Sequence, residues 1–231
     1  NSHESQFFRA AYFPTAPAIL APTRIYPNPG LPPEHWKYFP DSKLTIVEDG
    51  SNGVQVYWGA YYRSLGPSWL EAGAATGVLQ PGAAGEFDTG AVFMSIYRKS
   101  ETDLIGFYHA EDYSFGTNNH SFVSWKSIAS CYSTNNGAQW IKRGQILSAP
   151  GIKPEVPTWG GVGDFCVVRD DAQSRWVCIF TGIVDQDIWM SVAISTDPEG
   201  KPGTWLKYRN GKFEEPGLGG NFDRLPGFEA F

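Results

Sequence analysis

Three carboxylates stand at the edges of apolar runs in this chain. Asp88 and Asp164 each come just before a run of strand-forming residues, and Glu111 follows the aromatic stretch Phe107, Tyr108, His109. Two carboxylates that converge in one pocket can divide acid and base work, one held protonated and the other ionised. An aspartate before a glycine or a strand also has a plainer use, accepting hydrogen bonds from a turn. Glu111 lies within His109, Ala110, Glu111, Asp112, Tyr113, for which a solvated loop is the plain reading. The stretch continues through Phe115, Asn118, Asn119 and His120 before the next apolar run. A long aromatic and amide-rich connection of this kind favours function. Trp159, Gly160, Gly161, Val162 and Gly163 lead straight into Asp164. The glycines let backbone approach closely, and Trp159 offers a flat platform beside the carboxylate, or else packs under a glycine-rich loop. The candidate catalytic residues are thus Asp88, Glu111 and Asp164, and the candidate binding residues are His109, Asp112, Tyr113 and Trp159. Asp185 and Asp187 are expected to face solvent. His109, His120 and Asp112 make only a sparse metal set. Zinc spacings, phosphate loops and dinucleotide fingerprints are missing, so neither a metal nor a cofactor is expected.

These residues need a frame, and the sequence supplies a repeated one. Residues 165–168, 176–180 and 188–194 are short runs rich in Val, Ile, Phe and Trp, separated by polar turns. They read as an antiparallel meander. Residues 91–97, 104–109 and 125–132 have the same grammar. The first meander closes on Ser133, Thr134, Asn135 and Trp140, the second on Ser195, Thr196, Asp197 and Trp205. Repeated four-stranded sheets build a β-propeller. Sheets are expected over residues 88–146 and 164–213, arranged radially with Asp88 and Asp164 near the axis.

Elsewhere, residues 44–47 and 54–61 read as a hairpin, 69–87 as a long connection, and 207–213 as an outer strand. Asn221, Phe222 and Asp223 stand where a further unit would open. Residues 1–43 carry too many prolines for a helix and read as an irregular arm, its Trp36, Tyr38 and Phe39 packing onto the sheets. The domain of blades is expected over 44–231. These units fill about half of a ring of four to eight blades, so the expectation is a fragment, or remaining blades on another chain.

Composition narrows the partners. The chain has 231 residues, 42% hydrophobic and 18% charged, with Gly 26 and Pro 17, as a globular, turn-rich, all-β domain would. Net charge is −6 with no basic cluster, which argues against nucleic acid. No apolar run has the length of a membrane span. Nine Trp and eleven Tyr suit sheet cores and sugar platforms alike. Asn119, His120 and Ser121 form a glycosylation sequon, which fits a secreted protein. Cys166 and Cys178 lie on consecutive runs, either as a cross-strand disulfide or as two small buried side chains; Cys131 is expected as a core thiol.

The strand opened by Asp164, the tryptophan-bearing strand after it, and Val192, Ala193, Ile194 and Ser195 with Thr204 and Trp205 resemble the five-bladed β-propeller glycoside hydrolases of the arabinanase, xylosidase and invertase-like families. Ser133, Thr134, Asn135, Asn136 and Gly137 with Trp140 are similar to the Asp-box of sialidases, with Asn135 where that motif has Asp. The resemblance covers residues 88–213. It implies a secreted glycoside hydrolase acting on a polysaccharide or oligosaccharide through carboxylates in a central pocket. Glu111 would be the general acid, desolvated by its aromatic strand, and Asp88 the base that activates water. Asp164 would orient the sugar and stabilise developing positive charge. A lectin-like propeller without catalysis is the alternative, and a structural or protein-binding propeller a third class.

Overall fold

Residues 44–49, 53–113, 123–155, 159–184 and 187–226 are described in the computed structural model of the chain. The arm at 1–43, the sequon at Asn119, and Phe115, Asn118, His120 and Asp185 fall outside them.

Runs of β-branched and aromatic residues, cut by Gly, Asn and Asp turns, make every major element a strand. The first unit is a four-stranded antiparallel sheet of β1 (Thr45–Glu48), β2 (Val54–Trp58), β3 (Tyr62–Gly66) and β4 (Thr76–Gly77). The second unit is β5 (Gly90–Arg98), β6 (Leu104–Asp112), β7 (Trp125–Ser133) and β8 (Ile141–Leu147), and the third is β9 (Gly160–Asp170), β10 (Arg175–Val184), β11 (Asp187–Ser195), β12 (Trp205–Arg209) and β13 (Lys212–Pro216). Each unit is an antiparallel meander. A short parallel pairing, Trp125 with Gly160 and Lys126 with Gly161, joins the second and third units into one sheet. The only helix among the described residues is a 3-10 turn at Trp69–Glu71.

The two complete meanders repeat in their hydrogen bonds as well as their letters. The Asn135 side-chain oxygen accepts the N–H of Gln139 at 3.0 Å, and that of Asp197 accepts the N–H of Lys201 at 3.2 Å. The Ser133 and Ser195 hydroxyls each accept the N–H two residues on, both in the 3.2–3.3 Å range. An amide oxygen serves this turn as well as a carboxylate does, so Asn135 is no defect in it. Trp140 and Trp205, which follow the turns, are both buried.

Strand periodicity sends alternate side chains to opposite faces. On β6, Leu104, Tyr108 and Ala110 enter a core with Tyr57, Val78, Leu79 and Trp140, next to the first unit. Ile105 and Phe107 enter a second core with Trp176, Phe180 and Trp205 of the third unit. Phe107 meets Trp176 and Trp205 edge-on, at 5.3 and 5.7 Å between ring centres. The fully buried Lys207 reaches the Ser148 and Gly220 carbonyls; burial pulls its ammonium pKa down to about 8.

Several boundaries move. The run 54–61 ends at Trp58, because Gly59, at φ 64°, starts a turn. The connection 69–87 contains β4. The run 207–213 is two strands, split at Asn210 and Gly211, with φ of 49° and 80°; such an Asn-Gly pair is a strong hairpin signal. Residues 221–225 form no strand: Phe222 packs on Phe180 and Trp189, and the Leu225 N–H reaches the Met190 carbonyl at 2.9 Å. The cysteines make no disulfide. Cys166 is paired with Ile179, and Cys178 with Val167, so a one-residue offset puts the two thiols on opposite faces, Cys166 exposed and Cys178 buried. Cys131 is buried, as expected.

Glu199, in the turn between β11 and β12, ties the second unit to the third. Lys99 is 2.7 Å from its carboxylate, Arg143 2.9 Å and Lys201 3.3 Å. The Lys99 hydrogen bond, against a burial penalty, leads in holding its pKa at about 2, below the ordinary 4.5. A depressed carboxyl stabilises the fold above its unfolded value, and that contribution is lost as pH falls through the folded value. Glu199→Gln is therefore expected to cost about 1 kcal/mol at pH 7, the scale of an ion pair in contact with water. In urea denaturation the gap from the parent should close between pH 4.5 and 2. A gap of constant size across that range would contradict the assignment.

Candidate functional site

The ends of β6, β7 and β9 meet where β7 and β9 pair in parallel, and glycines make the approach possible. A Cβ on Gly161, at φ 108°, would lie 2.1 Å from the Lys126 carbonyl oxygen. A Cβ on Gly160 would lie 2.9 Å from the Trp125 ring, and one on Gly163 2.6 Å from the His109 imidazole. Trp159, Gly160, Gly161 and Gly163 thus seat β9 against β7 and bring Asp164 onto the buried histidine.

His109 and Glu111 share a face of β6 by the two-residue period. Glu111 is buried, and the Tyr113 hydroxyl donates to its Oε2. Around Oε1 stand the Ser124 hydroxyl at 3.4 Å, His109 Nε2 at 3.7 Å and Lys126 Nζ at 4.0 Å. Tyr113 is held from behind, its N–H donating to Thr89 Oγ1 at 2.9 Å. Its ring occupies the space a side chain at Gly90 would fill, 2.2 Å from a Cβ there. On the other side of the imidazole, His109 Nδ1 accepts the Asp164 N–H at 3.4 Å and lies 3.6 Å from Asp164 Oδ1. The Asp164 side chain is 67% exposed and its backbone is left-handed, at φ 41°. Its carboxyl pKa is lowered, first by the His109 hydrogen bond, then, against burial, by the charges of His109 and Lys126.

Lys126 is a charged residue that sequence reasoning passed over. It is buried, donates to Ser124 Oγ at 2.9 Å, and sits 4.5 Å from the centre of the Trp159 ring. Burial lowers its ammonium pKa, opposed by the Glu111 and Asp164 charges. A lone lysine inside the run of β7, Trp125–Ser133, was the available signal. Trp159 keeps 39% of its surface exposed, enough to present a ring face.

Of the residues expected at one site, the structure brings together Glu111, Asp164, His109, Tyr113 and Trp159. Asp88 and Asp112 go elsewhere. Asp88 is 1% exposed; its Oδ2 accepts the Tyr108 hydroxyl at 2.8 Å and lies 2.6 Å from Lys142 Nζ. Tyr108 is on the opposite face of β6 from Glu111, so Asp88 is held in an interior ion pair with that face. Tyr61 lies near both regions, its hydroxyl pKa raised by burial and then by the charges of Asp88 and Glu111. Asp112 is also buried, and pairs with Lys153. No group of three His, Cys, Asp or Glu among the described residues could hold a metal ion. Asp187, as expected, is 73% exposed.

Neither a known protein family nor a curated protein matches the sequence. The chain is similar to several solved structures, two of which are glycoside hydrolases. One is a glycosyl hydrolase from Bacteroides ovatus, at 19% identity and a TM-score of 0.36 over 49% of this chain and 29% of that one. The other is a family 117 glycoside hydrolase from the marine bacterium Zobellia galactanivorans, at 14% identity and a TM-score of 0.44 over 68% of this chain and 42% of that one. The chain spans less than half the length of either.

The glycine contacts give the site's own test. Gly161→Ala puts a methyl group into the Lys126 backbone at a positive φ. The expected cost is about 2–4 kcal/mol, combining overpacking with backbone strain. Gly85, also at positive φ, has open space around it; alanine there should cost only about 1 kcal/mol. Equal costs in chemical denaturation would show that β7 and β9 do not need their close approach.

Proposed function

We propose that this chain is the sugar-cleaving part of a β-propeller glycoside hydrolase, with Glu111 and Asp164 as its working carboxylates. One observation carries the reading: a buried and an exposed carboxylate stand on the two sides of a single buried imidazole. Cleaving a glycosidic bond takes a proton donor for the leaving oxygen and an ionised partner to activate water or stabilise the developing cation. Glu111, enclosed and hydrogen-bonded by Tyr113, suits the donor. Asp164, solvent-exposed and held ionised, suits the partner. Asp88, enclosed by Lys142 and Tyr108, suits an electrostatic brace better than a water-activating base. Trp159, backed by Lys126, suits the sugar platform.

The propeller reading is supported by the succession of antiparallel meanders, two of four strands and a third of five, and by the outer face of the third. There Val168, Ile179 and Leu206 are 51%, 37% and 40% exposed; their opposite face is buried against the second unit. A further blade, on this polypeptide or another chain, would cover that apolar surface. The turns at Ser133 and Ser195 support the likeness to the Asp-box. Secretion belongs to the same proposal and rests on the Asn119 sequon.

Screening against neutral oligosaccharides and aryl glycosides tests the reading. On any substrate that is turned over, Glu111→Gln and Asp164→Asn should each lower kcat by about 10²–10⁴-fold. Trp159→Ala should chiefly raise KM. Full activity in Glu111→Gln would end the proposal. Sugar binding that depends on Trp159, without turnover of any substrate, would instead identify a lectin-like protein.

A further inference from the structure

We infer that His109 is a positioning residue which sets how Glu111 and Asp164 face each other, and not a residue that touches the sugar. The inference rests on reading those two carboxylates as the reactive pair. His109 is 2% exposed, which leaves no surface for a ligand. Its Nδ1 accepts the Asp164 N–H at 3.4 Å. A ring nitrogen that accepts carries no proton, so the neutral imidazole keeps its proton on Nε2. That nitrogen faces Glu111 Oε1 at 3.7 Å. The left-handed backbone of Asp164, at φ 41°, turns its N–H toward the ring. The bare Cα of Gly163 gives the ring its place, since a Cβ would come within 2.7 Å of Nε2.

The consequence is chemical. When Glu111 gives up its proton to a leaving group, the Nε2–H is in place to support the new carboxylate, with Lys126 Nζ at 4.0 Å from the same oxygen. If the ring takes a second proton, on Nδ1, it must stop accepting from the Asp164 N–H and donates to Asp164 Oδ1, 3.6 Å away. The charged and titratable groups around it are Glu111 and Tyr113 on the β6 side, Lys126 from β7 and Asp164 from β9. The lowered carboxyl pKa of Asp164 has the His109 hydrogen bond as its largest cause, and that effect belongs to the doubly protonated ring, whose Nδ1–H donates to the carboxylate.

The test is a carboxyl ¹³C NMR titration of Asp164 in the parent chain, His109→Ala, His109→Gln and Gly163→Ala, with folding checked by circular dichroism. The Asp164 midpoint should move up in His109→Ala and in Gly163→Ala, where the new methyl group displaces the ring. His109→Gln, which keeps an N–H near the Nε2 position, should recover part of kcat but leave the Asp164 midpoint raised. On a substrate, His109→Ala should lower kcat by about 10²-fold with KM little changed, the scale expected for misplaced reacting groups. An unchanged Asp164 midpoint in the folded alanine variants would overturn the inference. The titration needs no substrate, so absence of glycosidase activity would count against the proposed function and leave the positioning role to be decided by NMR.

Discussion

Strand β6 has no solvent face, and the rest of the structure depends on that. All nine of its residues are buried. A strand covered on both sides must present apolar or fully partnered side chains in both directions. Leu104, Tyr108 and Ala110 meet the first unit, while Ile105 and Phe107 meet the third. The polar groups at its end then have no water to fall back on, and a buried charge without partners is costly. Each has found partners: Glu111 takes Tyr113, Ser124 and Lys126, Asp112 takes Lys153, and His109 takes the backbone of Asp164. The cluster of charges follows from the double burial of one strand.

The same constraint explains the glycines before Asp164. The third unit covers the far face of β6 only if β9 comes close to β7, where a side chain would collide with the Lys126 backbone. Gly160 and Gly161 remove that obstacle, and Gly163 leaves room for an imidazole. A glycine-rich stretch leading into an aspartate is often a phosphate loop or a flexible turn. Here it is a strand, Gly160–Asp170, fixed by contacts on both sides.

The all-β, antiparallel character of the fold was legible in the sequence because its signals are local. Short apolar runs and the repeated Ser-Thr-Asx turn placed the strands of the two complete meanders. Errors came where a turn was hidden inside an apolar run, at Gly59 and at Asn210 with Gly211, and where register mattered, as with Cys166 and Cys178. A strand shifted by one residue looks the same in sequence but exchanges its faces. The site was half legible for that reason. Glu111, His109, Tyr113, Trp159 and Asp164 were found by residue type and position. That Asp88 and Asp112 are directed away from Glu111 is a matter of which face of β6 each meets, and residue type does not carry it. Lys126, Lys142 and Lys153 went unseen because a lysine in sequence looks solvated until its carboxylate partner is in place.

Charge also separates a reactive pocket from a merely adhesive one. A site that only holds sugar gains from exposed rings and amides and has no use for an enclosed carboxylate, since desolvating one costs several kcal/mol that must be recovered from partners. In this chain Glu111 is enclosed, while Asp164, on the far side of the same imidazole, remains 67% exposed. Trp159 alone would be equally at home in a lectin. Trp159 beside a buried and an exposed carboxylate, with a buried lysine behind its ring, is the arrangement on which the proposal of a glycosidase over a lectin rests.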